Sequence, residues 1–511
     1  MLPILSAEQV RAADAYTIAH EPVASIDLME RAATRCAEHL LRHVARWRRE
    51  PRVPTPFIVV AGMGNNGGDG LVIARLLHQR GQPVRVVRVK HRDRPSEDHA
   101  TNLERCMRAG VTITDVSEGG RFPAIGEHEV VVDALFGTGT SVPLTGVAAE
   151  AVRWINAAGR PVVAVDLPSG LAADGENDPS GRAIVQADVT LTFEVPKPAL
   201  LFADKAPYVG HWEVVPIGLD RAFIASQQAS GHVLERSDAQ ALLPARPWAG
   251  HKGTFGHALV IAGGEGHLGA AVLAARSALR SGCGLVTVQV PGHGLPVLQG
   301  AVPEAMAIAD RDHARISELP RLDAYRAVGI GPGLGTHADT AVVIKRIIQE
   351  ATMPLVLDAD ALNILAANPT WRAFLPPGTV LTPHPKEFDR LHGTATASAK
   401  ERLERAVEMA RKDRCVIVLK GAPTAICAPD GRVLFNSTGN PGMAKGGSGD
   451  VLTGLLTGLL AQGLSPVDAA VLGVYLHGLA GDLAAAEVGM DGMTSGDLTA
   501  FLPAAWRNLR A

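Results

Sequence analysis

The sequence predicts an α/β protein of two domains, each built on a largely parallel sheet covered by helices on both faces. Three observations carry this. At 511 residues the chain is longer than one hydrophobic core serves. Short β-branched runs alternate with stretches of helical length, the pattern of parallel strands joined by crossover helices. Three of these runs in the N-terminal half end in glycine-rich or aspartate-led turns, at the strand ends where such sheets collect ligands.

A 47% hydrophobic, 20% charged composition is that of a well-buried globular protein. A net charge of -3 gives no reason to expect nucleic acid or an anionic membrane as partner, so a small molecule is expected. Five cysteines, Cys36, Cys106, Cys283, Cys415 and Cys427, are scattered and form no CxxC pair. Neither a disulfide framework nor a zinc knuckle is expected, which suits a reducing cytoplasm. The start, MLPILSAEQV, is acidic by position 8 and has no apolar segment of signal-peptide length. The longest apolar runs, such as Val451–Ala461, are broken by Thr and Gly and fall short of the ~20 residues of a membrane span. They read as buried helices.

In chain order, Ser6 and Gln9 form a capping box for an opening amphipathic helix with Val10, Ala13 and Ile18 on one face. A second helix begins near Ser25. Strands are expected at Phe57–Ala61, Pro83–Val89, Val130–Asp133, Val162–Asp166, Val189–Phe193 and Trp212–Ile217, with GMGNNGGDG a turn and Leu71–Gln79 a helix. The first domain is placed at 1–220. A linker at 221–232 falls in the polar, aperiodic stretch Leu219–Gly231, and the second domain spans 233–511. There, strands are expected at Ala258–Ile261, Leu285–Val290, Val328–Ile330, Leu355–Leu357, Thr379–Leu381 and Val416–Leu419, with a helix at Ala270–Arg280. Thr424–Cys427 and Val433–Phe435 flank PDGR, a hairpin signal.

In the first domain Gly62, Gly64 and Gly67 satisfy GxGxxG, a weak signal alone. A dinucleotide-binding unit would place an acidic residue at the end of the next strand for the ribose. That strand instead ends VRVKHRD, with Arg88, Lys90 and His91 in the acid's place. A basic residue there serves a 2′-phosphate, which keeps an NADP-dependent oxidoreductase open as a rival. Oxygen donors crowd the strand ends and the turns after them: Asn65, Asn66, Asp69, Asp133, Asp166 and Ser169. Hard oxygen ligands suit an alkali or alkaline-earth cation rather than zinc. Capping of local turns by Asp133 and Asp166 is the alternative for either residue taken alone.

GNNGGDG followed by VDALFGTG and VAVDLPSG, over about Ser6–Leu219, resembles the NAD(P)H-hydrate epimerases. The resemblance implies a Rossmann-like doubly wound sheet acting on the damaged dinucleotides NADHX and NADPHX. It implies that Asn65, Asn66, Gly67, Gly68 and Asp69, with Gly137, Thr138, Gly139, Thr140, Ser141, Val142 and Pro143, contact the substrate. It further implies that Asn66, Asp133 and Ser169 hold K+ and that Asp166 touches the hydrated ring. Exchange of the R and S hydrates at C6 needs a positioned acid/base, for which Asp166 is expected first and Asp69 second.

The second domain has no GxxxxGK[ST], which excludes a P-loop kinase. Its centre is Asn436–Leu464, where a glycine-rich loop, Gly446, Gly447, Ser448 and Gly449, leads into a long apolar helix with Asp450 in its first turn. Such a helix start attracts phosphate. A carboxylate there opposes the anion unless it is needed as a base beside the transferring group. Capping by Ser448 or Asp450 is the bland alternative. Together with GPGLG, DADALN, TPHPKEF, KGAPT and GMTSGDL in this order, the stretch resembles the ribokinase-like superfamily and, within it, the ADP- or ATP-dependent NAD(P)H-hydrate dehydratases. The match covers about Val233–Leu509 and implies an α/β/α sandwich.

By that resemblance Lys420, Gly421, Ala422, Pro423 and Thr424, with Asn440 and Gly446–Gly449, line the nucleotide, while Ala270, Gly333, His384 and Asp450 contact the hydrate. Mg2+ is expected with ADP, or ATP, as co-substrate. Sugar and vitamin kinases of the superfamily carry NxxE near the metal; here His384-Pro-Lys-Glu387 stands in its place, which argues against an ordinary sugar kinase. Asp358 and Asp360 read as helix caps, and His384 has a structural reading as a satisfied histidine between prolines.

The sequence therefore predicts a fused epimerase and dehydratase of metabolite repair, expected to be a homo-oligomer. A vitamin-precursor kinase fused to an NADP-binding domain, and a nucleotide-sensing module in which Asp166 and Asp450 are dispensable, are the two rivals.

Overall fold

A computed structural model describes residues 1–47, 54–139, 142–175 and 182–511. The chain divides into two compact units, Leu2–Ser230 and Gly231–Ala511. The stretch expected to be an irregular linker contains a short helix, Arg221–Ser226, started by Asp220 accepting from the Phe223 amide at 2.7 Å.

In the N-terminal unit the Ser6/Gln9 capping box forms and opens helix α1 (Ala7–His20), followed by α2 (Ser25–Trp47). Seven strands follow: β1 (Phe57–Ala61), β2 (Val84–Val89), β3 (Thr112–Val116), β4 (Val130–Ala134), β5 (Val162–Val165), β6 (Val189–Phe193) and β7 (His211–Val215). They pair in the order β3-β2-β1-β4-β5-β6-β7, every pair parallel. The order reverses between β1 and β4, the switch point at which open α/β sheets bind ligands. Alternation along each strand feeds two cores: Phe57, Val59 and Ala61 lie in one, Ile58 and Val60 in the other.

GMGNNGGDG is not all turn. Helix α3 runs Asn65–Gln79, so the residues from Asn65 onward already belong to its first turns. Tertiary packing overrides glycine's low helix propensity here. A Cβ on Gly67 would sit 2.0 Å from the Gly62 carbonyl oxygen, so only glycine lets the helix start against the strand-end turn.

The C-terminal unit holds β8 (His232–Val233), β9 (His257–Ile261), β10 (Leu285–Val290), β11 (Met306–Ala309), β12 (Ala327–Ile330), β13 (Leu355–Leu357), β14 (Val380–Leu381), β15 (Val416–Leu419), β16 (Ala425–Cys427) and β17 (Val433–Phe435). Their order is β8-β17-β16-β15-β14-β13-β12-β9-β10-β11. Only the pairs β15–β16 and β16–β17 are antiparallel, the latter across the PDGR turn. One face packs on α4 (Leu268–Arg280), α5 (Ser448–Ala461) and α6 (Pro466–Val488), the other on helices including Ala338–Glu350 and Ala399–Asp413.

The expectation that apolar runs fall short of a membrane span fails for α6. At 23 residues it is long and apolar enough to cross a membrane, yet 67% of its most apolar window is buried inside the unit. Glycines and acids such as Asp468 and Asp482 along it hid its length in the sequence.

Candidate active sites

In the N-terminal unit the groups meet at the C-terminal ends of β1, β4, β5 and β6. Helix α3 starts at Gly64 with no side-chain cap, leaving its first amides open toward a ligand. Asp133, at the end of β4, is fully buried and bound to Ser169. Its Oδ1 accepts from Ser169 Oγ at 2.6 Å and from the Leu135 amide at 3.2 Å, and its Oδ2 from the Ser169 amide at 2.8 Å. Burial pushes the Asp133 carboxyl up to about 6, against the pull of those hydrogen bonds. Asn66 lies by the same loop, 3.3 Å through Oδ1 from where a Gly137 Cβ would be, and among the described residues its buried Nδ2 has no partner.

Asp166 follows β5 in a left-handed conformation, φ 68°, costly for a residue with a Cβ and typical of functional turns. That backbone aims its carboxylate at Lys197. Lys197 Nζ is fully buried and donates to Asp166 Oδ1 at 2.8 Å, Thr192 Oγ1 at 2.9 Å and the Phe193 carbonyl at 2.7 Å, so all three ammonium protons are placed. Asp166 Oδ2 accepts from the Thr138 amide at 3.3 Å, and a Gly137 Cβ would stand 3.0 Å from it. Two more carboxyls adjoin. Asp69 in α3 is held well above the usual carboxylate range by burial and then by Asp166 and Asp14. Asp14 is pushed up to about 6 by burial and then by Asp166. The site thus combines a charge-paired carboxylate with a carboxylic acid, Asp69, that burial favours in its neutral form.

The structure gathers Asn66, Asp69, Asp133, Gly137, Thr138, Asp166 and Ser169. Asn65 is exposed at the start of α3, beside the buried Gly67 and Gly68. Gly139, Val142 and Pro143 are exposed, and Thr140 and Ser141 lie outside the described residues. Lys197 and Asp14 were not singled out from the sequence. Lys197 had a signal: a lysine inside the apolar run Val195–Leu201, four residues past the strand Val189–Phe193.

In the C-terminal unit, α5 starts at Gly447, whose φ of 93° lies in the left-handed region, and no side chain caps it. The capping alternative for Ser448 and Asp450 is excluded: Ser448 Oγ donates to the Met443 carbonyl at 2.8 Å instead. Asp450 sits in the first turn beside the open amides, its carboxyl pushed up to about 6 by burial and then by Asp358. The reading of Asp358 as a helix cap is also corrected. It precedes the helix Ala359–Ala367 but makes no cap hydrogen bond. Its Oδ1 accepts from Lys420 Nζ at 2.7 Å and its Oδ2 from Thr453 Oγ1 at 2.7 Å. Burial alone would raise Asp358, but Lys420 and these hydrogen bonds outweigh it and hold it low. Asp360 ties the GPGLG loop, accepting from the Gly335 amide at 2.8 Å.

Lys420 Nζ also lies 3.7 Å from Glu387 and 3.4 Å from where a Gly449 Cβ would be, placing a cation at the open helix start. His384 caps the helix Pro385–His392, its Nδ1 accepting from the Lys386 and Glu387 amides, while its Nε2 lies 3.4 Å from Glu387 Oε1. Thr424 Oγ1 donates to the Gly421 carbonyl at 3.0 Å, closing the KGAPT turn around Ala422 and Pro423. Ala270 and Gly333 meet, a Gly333 Cβ position lying 3.3 Å from Ala270 Cβ. Asn440 donates to Asp482 at 3.0 Å, Ser495 Oγ to the Gly446 carbonyl at 2.7 Å, and His477 Nε2 lies 3.0 Å from the Ser448 carbonyl. These three supports of the loop come from α6 and the helix Ser495–Arg510 and were not foreseen.

A family model described as YjeF-related protein N-terminus matches residues 25–199, and one described as NAD(P)H-hydrate dehydratase matches 258–504. The bifunctional NAD(P)H-hydrate repair enzyme of Moorella thermoacetica is 40% identical over 99% of this chain and 97% of its own length. The one from Escherichia coli is 36% identical over 87% of this chain and 84% of its own. A solved structure of an ADP/ATP-dependent NAD(P)H-hydrate dehydratase from Bacillus subtilis, co-crystallised with ATP and Mg2+, is 34% identical. It covers 54% of this chain and 97% of that one at a TM-score of 0.47. With both family models matched in order and 40% identity to such a relative over nearly the full length of both chains, the chain belongs to the bifunctional NAD(P)H-hydrate repair enzymes.

Proposed function

We propose that the two units repair hydrated NADH and NADPH in sequence: the N-terminal site exchanges the R and S hydrates, and the C-terminal site dehydrates the S hydrate at the expense of ADP, with ATP the alternative donor. The observation that carries this is Asp450, a carboxyl poised near neutrality in the first turn of an uncapped helix, facing the Lys420–Asp358 pair.

Hydroxide is a poor leaving group from C6. Asp450 takes the hydroxyl proton as the oxygen attacks the terminal phosphorus of the nucleotide, and the bond to the leaving nucleotide breaks. Amides of Gly447, Ser448 and Gly449 receive the developing charge, and Lys420 holds the phosphate. Phosphate then leaves from C6 with loss of the C5 proton, which restores the reduced ring, and ADP becomes AMP. Among the described residues no cluster of three or more His, Cys, Asp or Glu could hold a metal. That agrees with Mg2+, which takes one or two carboxylates and completes its shell with phosphates and water. Glu387 is the carboxylate in reach, and Mg2+ when bound neutralises phosphate charge.

In the N-terminal site Asp166, fixed by Lys197, is the carboxylate that faces the ring, and Asp69 is the acid that assists departure and return of the C6 oxygen. Asn66, Asp133 and Ser169 offer oxygens alone, a set that fits K+, which would bring positive charge beside the buried Asp133. Five unpaired cysteines, all buried, suit a reducing cytoplasm.

The test supplies separated R and S hydrates with ADP or ATP and follows the return of reduced-nicotinamide absorbance. Recovery of both hydrates is expected. No recovery of either, with either nucleotide, overturns the assignment.

A further inference from the structure

The basic run after β2 is used by neither reaction. Ala61, which ends β1, pairs in register with Arg88 on β2, so the residues after β2 emerge beside the glycine loop that opens α3. Arg88 is satisfied by Asp115, to which it donates through both Nε and Nη2. The next three side chains differ. Arg92 reaches back over the loop, its Nη2 donating to the Met63 carbonyl at 2.5 Å and lying 3.7 Å from where a Gly64 Cβ would be. His91 packs its ring 4.7 Å from that of Phe136, which precedes the substrate loop at Gly137. Lys90 is exposed, and among the described residues neither Lys90 nor Arg92 has a carboxylate within ion-pair distance. Beneath them His99 is fully buried. Burial, then Arg88 and Arg92, push it down to about 4, so it adds no charge of its own at neutral pH.

The direction of the bound dinucleotide follows from the sheet. The Asp166–Lys197 pair, which takes the nicotinamide end, lies beyond β5, two strands from β1 on one side of the switch point. The open amides of α3 at the centre take the pyrophosphate. The adenosine end then reaches the other side, over β2. In dinucleotide sites an acid there binds the ribose diol, whereas a cation accommodates a 2′-phosphate. We propose that Arg92 and Lys90 form a subsite for the adenosine 2′-phosphate, so that the N-terminal site favours hydrated NADPH over hydrated NADH. Among the described residues Arg92 Nε and Nη1 have no partner, which leaves them for a charge-assisted pair with the phosphate, and Lys90 supplies a second cation at the rim.

This rests on the epimerase reading, and the test separates the two. R/S exchange is measured on both hydrates without ADP or ATP, so that the C-terminal site is idle, in the unaltered chain, Arg92→Ala and Lys90→Glu. The exposed Lys90 variant guards against a folding defect in the first. The ratio of kcat/KM for the phosphorylated over the unphosphorylated hydrate should exceed one and fall about tenfold in each variant, the scale of one hydrogen bond to a charged group. Exchange with the same ratio in all three proteins overturns the subsite alone. No exchange of either hydrate by the unaltered chain overturns the epimerase reading, and the subsite with it.

Discussion

Lys197 Nζ stands 2.8 Å from Asp166 Oδ1 with the lysine side chain fully buried, so the carboxylate at the N-terminal site is paired within the protein itself. Removing one partner of a buried pair strands the other in low dielectric, at a cost of about 3–5 kcal/mol. Lys197→Met should therefore lower the melting temperature of the N-terminal unit and slow R/S exchange by about a hundredfold or more. The double variant Lys197→Met, Asp166→Asn should melt higher than Lys197→Met alone while staying inactive. Recovered stability with no recovered exchange identifies the pair as catalytic equipment; a double variant that melts lower still contradicts this account.

Asp450 gives the C-terminal reaction its pH dependence. A base works only when ionised, and burial places this carboxyl at about 6. Dehydration kcat/KM should be flat above neutrality and fall roughly tenfold per unit below about pH 6. Asp450→Asn should remove dehydration, by about a hundredfold or more, and leave R/S exchange unchanged, since Asp450 belongs to the other compact unit. Loss of both activities together refutes two independent sites.

The strands that were expected lie within two residues of their observed bounds, because β-branched alternation and the turns that bound it are local properties, but the strands Thr112–Val116, His232–Val233 and Met306–Ala309 were not foreseen. The Ser6/Gln9 capping box was legible too. Legibility ended where a residue's role depends on a distant partner. Lys197 meets Asp166 across 31 positions, so the apolar run around it signalled burial without naming the partner. Asp358 precedes a helix and looks like a cap, yet its ligand is Lys420, 62 positions on. The start of α3 was hidden for the opposite reason: its local propensity says turn, and contacts to the β1 end make it helix.

Potassium should stabilise the N-terminal unit in a pH-dependent way. Asp133 is held at about 6 in the folded chain, above its unfolded value, so its own contribution to stability is complete below about pH 4 and is lost as pH rises through 6. A cation bound by Asn66, Asp133 and Ser169 reverses that loss, because only the ionised carboxylate holds it. Melting in K+ against a bulky organic cation should show no difference near pH 4 and a growing advantage for K+ above pH 6. Asp133→Asn should abolish the difference, and an equal K+ effect at both pH values tells against this site.

Gly449 offers a test that separates binding from folding. A methyl group there would lie 3.4 Å from both Asp358 Oδ2 and Lys420 Nζ, ordinary contact that requires no backbone shift. Alanine also favours the first turn of a helix over glycine by up to about 1 kcal/mol. Gly449→Ala should therefore melt no lower than the unaltered chain. The same methyl group fills the space between Lys420 and the open amides of α5, where the nucleotide's terminal phosphate has to lie for Asp450 to act beside it. The KM for ADP should rise at least about tenfold while R/S exchange is untouched. An unchanged KM in a stable Gly449→Ala protein places the phosphate elsewhere and removes the helix start from the mechanism.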